Sequence, residues 1–90
     1  MHTADILGAI HLKAFRGPIQ IWRIGITNDP VEAKNYWAEK RNENTNHWSE
    51  WQADSLVEAR AIEQSFLDKG MKRGSTGVLA ADGVAYVYVF

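Results

Sequence analysis

Residues 22–30 decide the fold, and they read Trp22-Arg23-Ile24-Gly25-Ile26-Thr27-Asn28-Asp29-Pro30. Across the wider span 19–27 apolar side chains alternate, so that one face is purely apolar and the other is mixed, as the period of two in a β-strand requires. The pattern then changes, because Asp29 suits a helix N-cap, Pro30 suits the first helical position and Glu32 completes a capping box. The stretch predicts a strand that runs directly into a helix.

The segment before this strand, residues 6–15, is rich in Ile, Leu, Ala and Phe. It is followed by Arg16-Gly17-Pro18, which is a turn signal because glycine tolerates positive φ and proline fixes φ. Together these features predict an N-terminal β-hairpin, with residues 6–15 as its first strand and residues 19–27 as its second.

Further along, the first helix is expected to end near Arg41, and a polar stretch separates it from a short strand over residues 47–53. Ser55 and Glu58 form a second capping box, and apolar residues then recur at helical spacing as far as Gly70. Residues 71–83 are expected to form a loop and residues 84–90 a final strand. The predicted fold class is α+β, with a small antiparallel sheet (N-terminal hairpin, middle strand and C-terminal strand) packed against two helices.

The composition limits the classes of function. The chain has 90 residues, a formal net charge of −1 and no cysteine, which supports one domain over residues 1–90 without disulfides or a Cys-based zinc site. Because the charge is near zero, any contact with nucleic acid needs a local basic patch. No export signal and no run of about 20 apolar residues is visible. We therefore expect a cytoplasmic protein with no membrane contact.

Glu63 is the first candidate for chemistry, because it falls on the apolar stripe of the second predicted helix. A buried carboxylate is costly unless it is paired or hydrogen-bonded. One interpretation is a structural acid that pairs with Arg23 or Arg60, or accepts a hydrogen bond from a Trp indole. The other is a metal ligand, or a general acid or base, that opens onto a cleft.

Three other features are weaker signals. Arg23 shares a strand face with Gly25 and apolar residues, so it is either an anion-binding or catalytic group or a solvated arginine on an open sheet face. His11 has no second ligand at a matched spacing, which favours a lone histidine over a metal ligand. Residues 72–77 place Lys72 and Arg73 beside small residues, which suits either phosphate contact or a solvated loop, but they lack the order of a P-loop.

Two segments resemble the GIY-YIG domain, a small nuclease fold. Its second strand typically reads Tyr-Ile-Gly-x-Thr-x-Asp and runs into a helix, which is similar to residues 22–30. Its third strand leads into a helix containing Ala-x-x-x-Glu, which is similar to residues 51–63, ending in Ala59 to Glu63. The likeness covers roughly residues 6–70. It implies that Glu63 binds a single divalent metal such as Mg²⁺.

The chain also departs from the family pattern. The family's first strand carries Gly-Ile-Tyr, whereas residues 8–12 contain no tyrosine. Arg23 stands where the second tyrosine is expected, and Ala33 or a neighbour replaces the helix arginine that handles the scissile phosphate. The resemblance therefore implies a degenerate active site. The leading hypothesis is a non-catalytic binding domain that contacts nucleic acid through basic and aromatic residues, namely Arg16, Trp22, Arg23, Lys72 and Arg73.

Two alternatives stay open. One is a protein-interaction module or inhibitor that offers an exposed sheet edge to a protein partner, because the chain ends on an apolar strand. The other is an active metal-dependent endonuclease in which Arg23 and His11 act beside Glu63 in place of the missing groups.

Overall fold

The computed structural model describes residues 2–15, 17–75, 79–80 and 83–90. Within them the chain forms three helices, a short 3₁₀ turn and four strands. In chain order the elements are α1 (Thr3–Ala14), the 3₁₀ turn (Ile19–Ile21), β1 (Arg23–Thr27), α2 (Pro30–Asn35) continued by a π-helical segment (Tyr36–Lys40), β2 (Ser49–Gln52), α3 (Leu56–Asp68), β3 (Lys72–Arg73) and β4 (Tyr86–Val89).

The strand-to-helix stretch forms as predicted. β1 ends at Thr27, and the Asp29 side chain caps α2 by accepting a hydrogen bond from the Glu32 backbone N–H at 3.1 Å. Ser55 caps α3 in the same way, at 3.1 Å from the Glu58 N–H. Both caps satisfy backbone donors that a helix leaves unpaired at its first turn. Both predicted helices form, and β2 and β4 lie within the predicted strands 47–53 and 84–90.

The predicted N-terminal hairpin is wrong, because residues 3–14 form α1. Ile6, Ile10 and Ala14 are spaced by four, so in a helix they fall on one face, and all three are buried. Residues 19–21 also leave the predicted strand. They form a 3₁₀ turn in which the Trp22 N–H donates to the Ile19 carbonyl at 3.1 Å.

The sheet has the strand order β2-β4-β1-β3. β4 lies antiparallel to both β1 and β2, whereas β1 and β3 are parallel, so the sheet is mixed rather than purely antiparallel. β3 falls within the stretch that was predicted to be a loop. The final strand is central, and the sheet edges belong to β2 and β3. Both edges of β4 are paired, so the exposed edge of the predicted interaction module would belong to β2 or β3, and that alternative stays a prediction.

The two faces of the sheet are covered by different helices. The main core lies between one face and α1 and α3, and it contains Ile24 and Ile26 from β1, Val87 from β4, and Ile62 and Phe66 from α3. Against the other face packs the α2 side, where Trp37 of the π-helical segment is 2% exposed. No helix in the described part of the chain is long and apolar enough to cross a membrane.

Gly25 allows the strands to approach closely on the α2 side. It pairs with Tyr88 across the β1–β4 ladder. A Cβ at this position would lie 2.4 Å from the Tyr88 ring and 2.9 Å from the Gly74 carbonyl carbon. Only a glycine fits there, because the tyrosine ring passes over β1 to reach the far edge.

Candidate functional site

Glu63 lies at the edge of β1, where α3 faces the chain that follows β3. Glu63 is only 6% exposed to solvent. The Ser75 hydroxyl donates to Glu63 Oε2 at 2.5 Å, and the same hydroxyl accepts from the Ile26 N–H at 2.8 Å. Arg73 Nη1 lies 3.7 Å from Glu63 Oε1. The buried carboxylate is therefore compensated by one hydroxyl and one cation, as a buried charge requires.

Tyr88 reaches the same edge from the opposite face of the sheet. Its hydroxyl donates to the Gly74 carbonyl at 2.6 Å and accepts from the Trp37 indole N–H at 3.2 Å. Burial raises the pKa of Tyr88, and the negative charge of Glu63 raises it further, while the hydrogen bond from Trp37 lowers it. The Tyr88 phenol and the Glu63 carboxylate thus lie on either side of Gly74 and Ser75, with the phenol held in its neutral form.

Arg23 has partners other than the one expected. Its guanidinium donates to the Arg73 carbonyl at 2.8 Å, lies 3.5 Å from Glu43 Oε1 and stacks 4.5 Å from the Trp37 ring centre. Arg23 therefore pairs with Glu43, and Glu63 pairs with Arg73 rather than with Arg23 or Arg60. Arg23 and Glu63 nevertheless belong to one cluster, because both contact Arg73. Arg23 donates to the Arg73 carbonyl, and Glu63 pairs with the Arg73 guanidinium.

A second guanidinium lies on the same indole. Arg41 is 5.1 Å from the Trp37 ring centre, and Lys72 is the register partner of Arg23 in the parallel β1–β3 pair. Lys72, Arg73 and Arg41 are exposed. We call these four cations, Arg23, Arg41, Lys72 and Arg73, the basic face, in which the Arg73 side chain lies towards α3, beside Glu63. It is the local positive patch that a near-neutral chain needs in order to contact an anion.

The remaining predicted site residues lie apart from one another. His11 is exposed on α1, and its ring lies 5.0 Å from the Phe66 ring, so the strand position that made it a catalytic candidate does not exist. Trp22 is partly buried against the core, with Lys13 Nζ at 5.5 Å from its ring centre. Arg16, expected to bind nucleic acid, lies outside the described residues.

Four important residues were missed from the sequence: Trp37, Arg41, Ser75 and Tyr88. Tyr88 alternates with buried valines in β4. This pattern predicts which face of the strand Tyr88 lies on, but not which residues it contacts. Tyr88 lies opposite Gly25 only because β4 pairs with β1, and no local sequence pattern predicts that pairing. Arg41 was counted only as the end of a helix, although it lies one turn after Trp37, the spacing at which side chains on a helix meet.

The metal implied by the resemblance does not fit the residues as they are arranged. Both oxygens of Glu63 are engaged, one by the Ser75 hydroxyl and one by the Arg73 cation. Divalent cations such as Mg²⁺ select oxygen ligands, and an arginine at that position repels them. Within the described residues no group of three or more His, Cys, Asp or Glu side chains comes together. Glu63 therefore serves here as the partner of a hydroxyl and a cation.

Two concave regions flank this cluster. A cleft of about 260 Å³ lies between β1 and α2, with Asn28, Glu32, Tyr36 and Tyr88 among its lining residues. A smaller recess of about 170 Å³ lies at the other end of β1, where it is lined by Ile21, Trp22, Asn44, His47 and Phe90. Arg23, the first residue of β1, follows Trp22 of the recess, and Tyr88 lines the cleft.

Comparison of the chain with protein-family models, with curated proteins and with solved structures finds no match. The resemblance to the GIY-YIG domain therefore stays a prediction, and function has to be argued from the cluster around Trp37 and Glu63.

Proposed function

We propose that this chain is a GIY-YIG-like domain that binds single-stranded nucleic acid through the basic face without cutting it. The observation that carries the proposal is the pair of guanidinium groups, from Arg23 and Arg41, on the one indole of Trp37. Lys72 and Arg73 extend the patch along the β3 edge. Rows of cations suit the phosphates of a single strand. Because Trp37 is 2% exposed, its indole orders the cations and does not itself stack on a base.

The indole orders the cations before a ligand arrives. A guanidinium stacked on an aromatic ring loses fewer side-chain conformations when it then meets a phosphate, so more of the interaction energy appears as affinity. Glu43 and Glu63 offset two of the four charges. The patch should therefore bind weakly and with a strong dependence on salt.

Catalysis is not supported by the state of the acidic and phenolic groups. Phosphodiester hydrolysis needs a group that activates water and a positive charge that stabilises the transition state. Glu63 has both oxygens engaged, and the Tyr88 hydroxyl is buried and donates to a backbone carbonyl. We expect no cleavage of single- or double-stranded DNA above background with Mg²⁺ or Mn²⁺.

Binding is tested by fluorescence anisotropy with a labelled single-stranded oligonucleotide. Arg41→Ala should weaken binding about 2- to 5-fold, the effect of losing one exposed cation that contacts an aromatic ring and a phosphate. Arg60→Ala is the matched control, because Arg60 is an exposed arginine on α3, the helix that covers the opposite face of the sheet. Equal effects of the two substitutions, or no binding at low salt, would contradict the proposal.

One observation keeps the active endonuclease as a second candidate. The strand that lies antiparallel to β1 is β4 rather than residues 6–15, and it brings Tyr88 close to Glu63. The GIY-YIG pattern has a tyrosine on the strand next to this one, and residues 8–12 lack it. Tyr88 on β4 supplies a tyrosine beside β1. Metal-dependent cleavage that is lost in both Tyr88→Phe and Glu63→Gln, while both variants stay folded, would favour this candidate over simple binding.

A further inference from the structure

The recess at the start of β1 has the size of a single ring system. It is lined by Ile21, Trp22, Asn44, His47 and Phe90, and its volume is about 170 Å³. Pockets for drug-sized ligands run from about 300 to 1,000 Å³. The recess is therefore too small for a whole nucleotide, but it can take one planar base with the sugar and phosphate outside.

The walls of the recess are aromatic and held in place. Phe90 exchanges two backbone hydrogen bonds with Arg23, at 2.8 and 3.1 Å, and its ring stacks on Trp48 at 5.1 Å. Trp22 packs against the core, so it too is fixed. Rigid aromatic surfaces suit stacking on a base, which contributes about 1–3 kcal/mol per base in single-strand complexes.

The rim of the recess supplies polar groups. Asn44 Oδ1 accepts a hydrogen bond from the Asn46 N–H at 2.9 Å. This bond uses the amide oxygen, so the NH₂ group is the part of Asn44 that can donate to a ligand. His47 is exposed, and its ring nitrogens can donate or accept. An apolar slot with a few polar groups at its rim is the usual form of a site that fixes one orientation of a ring.

Cations lie on both sides of the recess. Lys13 Nζ is 5.5 Å from the Trp22 ring centre. On the other side the Phe90 ring lies 5.4 Å from the Trp37 ring, which carries Arg23 and Arg41. Positive charge is therefore available close to two of the aromatic walls of the recess, Trp22 and Phe90.

We propose that this recess binds one unstacked nucleobase of a single-stranded nucleic acid, with its π face on Trp22 and Phe90 and its edge at Asn44 and His47. The inference rests on the proposed function, because the basic face would hold the phosphates next to the inserted base. It adds a preference for strands whose bases are free to leave the stack.

The test compares two labelled strands of equal length, one with normal bases and one with abasic sugar phosphates throughout. The base-bearing strand should bind about 5- to 150-fold more tightly, the range that stacking of one base implies. Asn44→Ala and His47→Ala should each weaken it about 2- to 10-fold and leave the abasic strand unchanged. Asn35→Ala, at an exposed amide on α2, is the control and should change neither strand.

Outcomes separate the recess from the basic face. Equal affinity for the two strands, with Arg41→Ala weakening both, would overturn the recess proposal and leave the proposed function intact. If neither strand binds, the recess is tested separately by NMR titration with a free nucleoside. A change in the NMR signals of the Trp22 indole and the Asn44 amide on adding adenosine or uridine would support the recess, and unchanged signals would overturn it.

Discussion

Gly25 shows how a single hydrogen atom in place of a side chain builds the site. Its missing Cβ lets the Tyr88 ring cross β1, since a Cβ there would lie 2.4 Å from the ring. We expect Gly25→Ala to lower the free energy of unfolding by about 1–3 kcal/mol or more, because both the ring and the Gly74 backbone would have to move. Urea denaturation measures this directly. An unchanged midpoint would mean that Tyr88 does not lie over β1.

Because Tyr88 is buried, we expect the free energy of unfolding to fall at alkaline pH. Burial raises its pKa above the ordinary value, so the folded protein keeps the phenolic proton when the unfolded chain releases it. The contribution of Tyr88 is complete below the unfolded pKa of about 10 and is lost as the pH rises above it. The unfolding free energy of the wild type should therefore fall between about pH 9 and pH 11 more steeply than that of Tyr88→Phe. Parallel curves would contradict the buried, neutral phenol.

The partner of Glu63 can be identified by a double-mutant cycle. The Ser75 hydroxyl is 2.5 Å from Oε2, and hydrogen bonds to charged groups contribute about 1.5–3 kcal/mol. Glu63→Ala and Ser75→Ala should therefore couple by a similar amount in unfolding free energy. Glu63→Ala and Arg23→Ala should couple less strongly than that pair, because Arg23 pairs with Glu43 and is linked to Glu63 only through Arg73. Strong coupling between Glu63 and Arg23 would restore the pair expected from the sequence.

At the scale of elements, the sequence predicted the features that depend on neighbouring residues, namely the starts of α2 and α3. α2 and α3 begin at caps, Asp29 and Ser55, whose hydrogen bonds involve residues three positions away. α1 was predicted to be a strand because its composition and the following turn outweighed the spacing of Ile6, Ile10 and Ala14. The side chain of His2, at the N-cap of α1, makes no capping hydrogen bond, so the start of this helix carries no comparable signal.

Gly8 tests the helical assignment of α1. It lies in the helix interior with open space around the position of a Cβ. Replacement by Ala should raise the unfolding free energy by about 0.5–1 kcal/mol, since glycine is the more costly residue in a helix. The matched variant Gly8→Val separates helix from strand, because Val is less favourable than Ala in a helix and more favourable in a strand. A Val variant more stable than the Ala variant would support the predicted hairpin.

The order of strands was beyond the reach of the sequence. β4 pairs with β1 and β2, from which it is separated along the chain by α3 and β3, and the two-residue β3 is too short to show a period. Such pairing is decided by which apolar faces can be buried together, a property of the assembled core. The site could not be predicted for the same reason, because Ser75 contacts Glu63, and Tyr88 contacts the neighbouring Gly74, only when β3 and β4 flank β1.

At the scale of the whole molecule, charge is the feature that connects structure with the proposed binding. The chain has a net charge of −1, yet two guanidinium groups lie on Trp37, and Lys72 and Arg73 lie beside Arg23 at the β3 edge of the sheet. Glu63 was found from the sequence because it interrupts an apolar stripe. The basic face was not, since Arg41 and Lys72 lie 31 positions apart in the sequence and meet only through Trp37 and β1.

The salt dependence of binding measures how many of these cations contact phosphates. For single strands the slope of log K against log salt concentration is about −0.7 per phosphate contact. Glu43 and Glu63 offset Arg23 and Arg73, so two to four effective contacts are available and the slope should lie between about −1.5 and −3. Lys72→Ala should make the slope shallower by about 0.7, whereas Arg60→Ala should leave it unchanged. Anisotropy titrations over a series of KCl concentrations give the slope. A value steeper than about −5 would require a larger surface than the basic face, and a value near zero would mean that the phosphates are not bound there.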